Sequence, residues 1–534
     1  FVGDLHKKFA EFGEEFEKNV GLKLSDVLAV PDGEVSLAVL LPTDAKKLAV
    51  VAILDFGKSS TSTVNTLLEK AATGLQKEGF KRSTKDCEGS QMVVYTREKD
   101  KEKDKDKDKD KDKDKSNDDE PEFGSQFAQV LKNETLILSS STVAMHDIMK
   151  RWDGKHSETL ADIPAYKAIV GAGTKDHAKP VVVGFVDPIA LVNAFVHSND
   201  QAAEQLGMVT AFLPVLGLDN LKGIGGSLSL ATDKYDSEFQ LHVYLERPAS
   251  GLLSVFTFPP TNQKPPKWIT DDSSSYIGVN WDVPKAYSAV EGLADQILGP
   301  GATAQKLDEW AQDDSLKIHL KKDVIDNLTG VIHIASDNPD SSKPELTRYL
   351  VAIGIKDGKK MKSVLDKLSK LPNFQAQPRD FRGEVIYNLD APALAQFGNG
   401  SQTMGLGVVN DYLMFATDVS RIEQVIIADK DRKPLSESAK YKALAKHFPE
   451  KTSIIVFQEP AKQYKGLYEM FRSGKMQELL SNTPLNKLVQ GIDFKKLPEF
   501  DAIRKYLPPS GSYAIPEGNG AVFVSFSLKG GAKD

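Results

Sequence analysis

Three things are scarce in this 534-residue chain, and each scarcity removes a class of function. Cysteine occurs once, at Cys87, which excludes an intrachain disulfide, a CxxC redox pair and a thiolate metal cage. Long apolar runs are missing. The best, Leu206–Leu218 (LGMVTAFLPVLGL), contains Pro214 and falls short of the roughly 18 residues of a membrane span. It predicts a buried helix. A basic excess is missing too: 68 Lys and Arg stand against 75 Asp and Glu, a net charge of −7. No Lys/Arg cluster is interleaved with aromatic residues, so the basic face that nucleic-acid binding needs is not evident.

Catalytic signatures are equally thin. The nine histidines are dispersed, without HxxxH or HExxH, so no metal-binding helix face is encoded. Ser139–Thr142 (SSST) lacks the flanking glycines of a nucleophile elbow. Lys222–Ser229 (KGIGGSLS) and Gly398–Gly407 (GNGSQTMGLG) are glycine-rich but match neither phosphate-binding pattern. Asp271/Asp272 and Asp313/Asp314 are carboxylate pairs of the kind common on solvated surfaces. No catalytic, cofactor-binding or metal-binding residue is assigned from the sequence.

What is present is an ordinary soluble composition, 40% apolar and 27% charged, long enough for two or more domains. One segment departs from it. Lys99–Glu122 contains no apolar residue and alternates Lys with Asp before an acidic tail. Such a stretch cannot bury a core, and it reads as a solvated loop. It lacks the glycine turn and spaced ligands of an EF-hand.

The chain also repeats itself. VVAILDFG (Val50–Gly57) resembles LVAIGIKDG (Leu350–Gly358), and Phe80–Tyr95 resembles Phe374–Tyr387. Further on, KNETLILSSS (Lys132–Ser141) parallels VNDYLMFATD (Val409–Asp418), and KPVVVGFVDP (Lys179–Pro188) parallels KTSIIVFQEP (Lys451–Pro460). For Ile53, Phe80, Tyr95, Asn133, Tyr166 and Gly217 the separations are 300, 294, 292, 277, 275 and 274, a series that never reverses. The largest drop falls where the Lys/Asp run sits, which marks 97–122 as an insertion in the first copy. These matches define a first lobe over 1–250, a proline-rich linker over 251–273 and a second lobe over 274–534. The second lobe opens with a strand and helix (Ser274–Leu298) that have no counterpart in the first. The expectation is that the first lobe's equivalent lies upstream of Phe1.

Short alternating runs such as EVSLAVLL and TLILSS read as strands, and LHKKFAEFGEEFEKNV reads as an amphipathic helix. Each lobe is therefore expected to be α+β, a largely antiparallel sheet with packed helices, and the pair to form a pseudo-dimer with Ile53 over Ile353 and Tyr95 over Tyr387. The polar matches are Asp86/Asp380, Asn133/Asn410 and Lys167/Lys442. Asn133 and Asn410 precede strands, where Asn suits a turn. His146 falls opposite Glu423. Cys87 falls opposite Phe381, so it is expected as a small buried residue.

The succession VLAVPDGEVSLAV, VAILDFGK, DCEGSQMVVY, NETLILSSS and LADIPAYKAI resembles an uncharacterised family of exported bacterial proteins, familiar from planctomycetes, whose members often carry signal peptides. The resemblance implies an envelope, periplasmic or extracellular location and hands over no catalytic residues. An opening at Phe1 in place of Met fits a cleaved leader and equally a truncated start. The function expected is a non-enzymatic envelope or extracellular binding or structural protein. Its twin lobes would offer a groove or paired faces to another protein or an envelope polymer, without cofactor. The alternative is a hydrolase or other enzyme with a site at the lobe interface, which requires Asp, Glu, His or Ser converging in one cleft.

Overall fold

The computed structural model describes residues 2–529 apart from 21–22, 43–44, 46, 58–60, 98–123, 153, 155–158, 174–178, 199–209, 211, 313–316, 339–346, 372–375, 390–402, 428–431 and 481–491. The Lys/Asp run, Phe374, Asp313/Asp314 and the start of the Gly398–Gly407 stretch therefore lie outside the described residues. Residues 206–209 and 211 of the helix expected at Leu206–Leu218 lie outside them too; of the rest, 213–217 are turn and not helix, with Leu213 buried. Packing divides the chain into two units, Phe1–Leu160 with Ala190–Ala211, and Ala161–Ile189 with Phe212–Asp534.

Unit 1 contains α1 (Val2–Val20), α2 (Leu24–Leu28), β1 (Val35–Leu40), β2 (Ala49–Asp55), α3 (Thr61–Lys77), β3 (Phe80–Cys87), β4 (Ser90–Arg97), β5 (Gln126–Lys132), β6 (Thr135–Ser139) and α4 (Thr142–Arg151). Its strands form one antiparallel sheet in the order β1-β2-β6-β5-β4-β3. Strand alternation sorts the side chains between two faces. Val51, Ile53, Met92, Val130 and Ile137 bury against Ala144, Met145 and Met149 of α4. Leu54 and Leu136, on the other face, pack with Val64 and Leu67 of α3 and with Val30. Ser141 caps α4, its hydroxyl accepting from the Ala144 amide at 3.3 Å. The β3–β4 turn takes Glu88 and Gly89 into positive φ, 52° and 73°, the geometry a two-residue hairpin needs.

Unit 2 adds α5 (Pro164–Gly173) and β7 (Val182–Val186), after which α6 (Pro188–Ser198) runs into unit 1. It resumes with β8 (Leu221–Leu230), β9 (Tyr235–Leu245), β10 (Ser275–Asn280), α7 (Val283–Leu298), α8 (Ala302–Gln312), β11 (Leu328–Asp337), β12 (Arg348–Ile355) and α9 (Gly358–Ser369). Then come β13 (Ala376–Phe381), β14 (Glu384–Leu389), β15 (Met404–Val409), β16 (Tyr412–Ala416), α10 (Ser420–Ile427), α11 (Ala439–Ala445) and β17 (Ile454–Gln458). The chain finishes with α12 (Pro460–Ser473), α13 (Lys475–Leu480), α14 (Phe500–Arg504), β18 (Ser510–Glu517) and β19 (Gly520–Leu528). Thirteen strands make one sheet in the order β13-β14-β15-β16-β12-β11-β10-β17-β18-β19-β9-β8-β7. Every pairing in it is antiparallel. The protein is α+β, two antiparallel sheets with packed helices.

The strand order β1-β2-β6-β5-β4-β3 recurs as β11-β12-β16-β15-β14-β13, and the meander β7-β8-β9 recurs as β17-β18-β19. The two meanders join at the β9–β19 ladder. Residues 161–189 and 212–250 thus pack with the second half of the chain, and the packing boundary differs from one drawn at residue 250. The proline-rich stretch is tied down along its length. Thr261 exchanges two main-chain hydrogen bonds with Thr452, both at 2.9 Å, and Ile269 is buried. At its start, the Val255 carbonyl accepts from Trp281 Nε1 at 2.7 Å.

The ladders correct the residue matches at two places. Counted from the turns at Asn133 and Asn410, Leu54 opposite Leu136 holds the rung of Ile353 opposite Leu413. Ile53 lies one residue off and faces α4 instead, because a one-residue slip exchanges the faces of a strand. Counted from Gly89 and Gly383, Val93 and not Tyr95 holds the rung of Tyr387. Tyr95 lies two residues further on, which keeps it on the same face.

Candidate functional site: an apolar cavity in unit 1

The face of the six-stranded sheet turned away from α4 supplies one wall of a cavity of about 510 Å³. Val50, Ala52, Leu54, Leu136 and Leu138 come from β2 and β6, and Phe127 and Gln129 from β5. The opposite wall is α3, which presents Val64, Leu67, Leu68 and Ala71, with Val27 and Val30 beside it. The spacing i, i+3, i+4, i+7 places the α3 residues on one helix face. Helix α9 offers the same spacing in unit 2 with Met361, Val364, Leu365 and Leu368, which pack against Tyr387, Val408 and Leu413. Val64 and Ala71 are smaller than the residues at the corresponding turns of α9, and the layer they line keeps a void. Phe127 and Leu138 remain about a third exposed, at 38% and 36%, so the cavity reaches the surface.

Polar groups are few here. The Ser139 hydroxyl donates to the Ser141 carbonyl at 2.8 Å, and the Ser140 hydroxyl accepts from the Val50 amide at 2.9 Å, so both serve the end of β6. Tyr95 is different. It is 2% exposed and lines the cavity, yet its buried hydroxyl has no hydrogen-bond partner among the described residues. Tyr387, on the corresponding face of β14, has Ser369 as a hydrogen-bonding neighbour. Burial pushes the Tyr95 hydroxyl above the usual tyrosine range, partly countered by Arg82, so it stays protonated and able to donate. Arg82 is itself held by Glu69 of α3 through two bonds of 3.0 and 2.9 Å. The arrangement can enclose an apolar molecule and offer it one hydroxyl.

The residues weighed from the sequence have structural places. Asp86 and Asp380 accept from the Gly89 and Gly383 amides at 3.4 Å, each bracing a hairpin. Asn133 and Asn410 take positive φ, 55° and 50°, as turn residues. Lys167 pairs with exposed Asp162 at 3.4 Å. His146 approaches Glu88 at 3.6 Å, whereas Glu423, in the second half, pairs with Arg379. Cys87 is fully buried, and burial raises its thiol, the reverse of what a nucleophile needs. Lys222–Ser229 is strand β8. A Cβ on Gly223 would sit 2.8 Å from the Phe185 ring and 3.0 Å from Ile169, so its glycines admit α5 and β7 and not a phosphate. Among the described residues no group of three or more His, Cys, Asp or Glu is placed to hold a metal ion.

Three buried polar clusters in unit 2 escaped the sequence reading, because their members are scattered along the chain. His333 meets Tyr276 at 2.9 Å and Tyr412 at 3.4 Å, and desolvation lowers its pKa to about 4. Asp337 accepts from Arg348 at 3.0 and 2.8 Å and from Arg421 at 2.7 Å, which uses both carboxylate oxygens. His242 Nδ1 meets Glu517 at 2.9 Å beside a cavity of about 340 Å³ that also exposes Lys167 and Asn519. Among the described residues no serine or cysteine lines that cavity.

A family model described as protein of unknown function (DUF3352) matches residues 302–496, inside unit 2. No curated protein and no solved structure matches. No helix among the described residues is long and apolar enough to cross a membrane.

Proposed function

We propose that this is a binding protein and not a catalyst, in which unit 1 holds an apolar small molecule, of single-acyl-chain size and with one hydrogen-bond acceptor, between α3 and its sheet. The carrying observation is the cavity of about 510 Å³, within the range of roughly 300–1,000 Å³ for small-molecule sites. Its walls are apolar apart from Gln129, Ser139 and Ser140, and Tyr95 brings a buried hydroxyl with no partner among the described residues. An enzymatic reading needs converging acids, bases or nucleophiles, and the two serines at this cavity are spent on β6. The scaffold is read as a duplication of one α+β lobe. The recurring strand order and the ordered series of separations support that reading. Work in the envelope or outside the cell, with another protein or an envelope polymer as macromolecular partner, follows the sequence resemblance.

Isothermal titration with palmitate tests the proposal. One site per chain is expected, with the negative heat-capacity change of apolar burial. Absence of saturable binding removes the reading.

A further inference from the structure

The cavity of about 340 Å³ in unit 2 lies where the second half of α5 meets β9 and the turn that joins β18 to β19. His242 and Tyr244 of β9 alternate onto the face that α5 covers. Gly225 and Gly223 stand beside them, and a Cβ on either would come within 2.9 or 3.0 Å of Ile169 in α5. His242 is 4% exposed. Its Nδ1 meets Glu517 Oε2 at 2.9 Å, and its Nε2 is buried without a hydrogen-bond partner among the described residues. An ionised carboxylate only accepts, so Nδ1 carries a proton and Nε2 is left to meet whatever fills the cavity.

The second half of the chain closes the same layer. Rung for rung, His242 opposite Gly225 holds the place of Phe526 opposite Gly511. Phe526 is 2% exposed, with the rings of His447 and Phe448 at 5.5 and 5.9 Å. Counted from Tyr166 and Tyr441, the sequence has Ala172 and Gly173 where those two stand. A histidine thus takes the place of a buried phenylalanine. Its second nitrogen is a buried polar atom that costs stability unless something pairs with it.

We propose that this cavity binds a neutral polyhydroxylated molecule of sugar size, through His242 Nε2 and the Glu517 carboxylate. Both are acceptors when His242 is neutral. Asn519 donates to the Glu246 carbonyl at 2.9 Å, which leaves its amide oxygen as a third acceptor. The occupant must therefore donate. Lys167, which also pairs with Asp162, lines the same cavity with a positive charge, so an ammonium donor is disfavoured. Glu517 disfavours a phosphate or carboxylate in the same way. Hydroxyl groups meet every demand, because each donates to the acceptors and can accept from Lys167. The volume stands at the small end of small-molecule sites, as a mono- or disaccharide requires. The site is independent of the unit 1 cavity and of the ligand proposed there.

The test titrates the full chain by calorimetry with D-glucose, N-acetylglucosamine and trehalose. At least one should bind saturably at one site per chain. His242→Phe, which copies the residue at the Phe526 position, should weaken that sugar by roughly tenfold or more. Glu517→Gln, at a side chain 54% exposed and so safe for folding, should weaken it roughly tenfold. Both variants should bind palmitate as the parent does, so that either proposal can fail alone. No saturable binding of any of the three sugars overturns the proposal and leaves Nε2 to ordered water. Undiminished sugar binding by Glu517→Gln overturns it, as does tighter binding of inorganic phosphate or ethanolamine than of the sugars.

Discussion

Cys87 ends β3 with its side chain fully buried among Met92, Val94 and Ala144. Its role is packing, so Cys87→Ala should cost ~1 kcal/mol in a denaturant melt. The native thiol should react with a maleimide only on the timescale of unfolding. Tyr95 has the opposite character, a buried hydroxyl without a partner. An unpaired buried donor costs free energy that an isosteric apolar group avoids. Tyr95→Phe should therefore raise the stability of the ligand-free protein by up to ~1 kcal/mol while weakening palmitate. His333 couples the second sheet to pH. Its folded pKa of about 4 lies below the ordinary 6.5, because burial disfavours the imidazolium. Between those values the unfolded chain binds the extra proton, so the contribution is complete above pH 6.5 and is lost as the pH falls toward 4. The loss amounts to roughly 3 kcal/mol. Urea midpoints at pH 7 and pH 4.5 should converge more in His333→Gln than in the parent, and an unchanged pH dependence would contradict the assignment.

Elements were the most legible level. Alternating or apolar runs gave away β1 and β6, and asparagine at 133 and 410 marked tight turns that the backbone adopts with positive φ. Register was less legible. Matching Ile53 to Ile353 by identity misses by one rung, because hydrogen bonds and turns set the ladder and a letter match does not. The Lys/Asp run sits between β4 and β5, whose ends are already joined by the Arg97 amide donating to the Ser125 carbonyl at 2.8 Å. Closing a longer loop costs only about 0.6 kcal/mol per doubling of its length. Deleting Lys99–Glu122 should leave the thermal midpoint within a few degrees of the parent, and loss of cooperative melting would show that the run is structural.

For the whole molecule, the α+β class followed from alternating strand and helix patterns, but the joining of β7–β9 to β19 did not. That ladder pairs residues about 280 positions apart, and local pattern carries no information about such distant partners. The cavity was hidden for a related reason. Val64 and Ala71 look like ordinary core positions until α9 shows Met361 and Leu368 at the same turns. Those two positions give the most direct test of a binding function. Val64→Met with Ala71→Leu gives α3 the larger α9 side chains at those two turns and fills the void from within. Palmitate affinity should be measured by calorimetry for the parent and for this double variant. The account predicts that the variant melts cooperatively at or above the parent temperature and loses binding by roughly a hundredfold, about 2.7 kcal/mol. Undiminished palmitate binding by a folded, cavity-filled protein would contradict it.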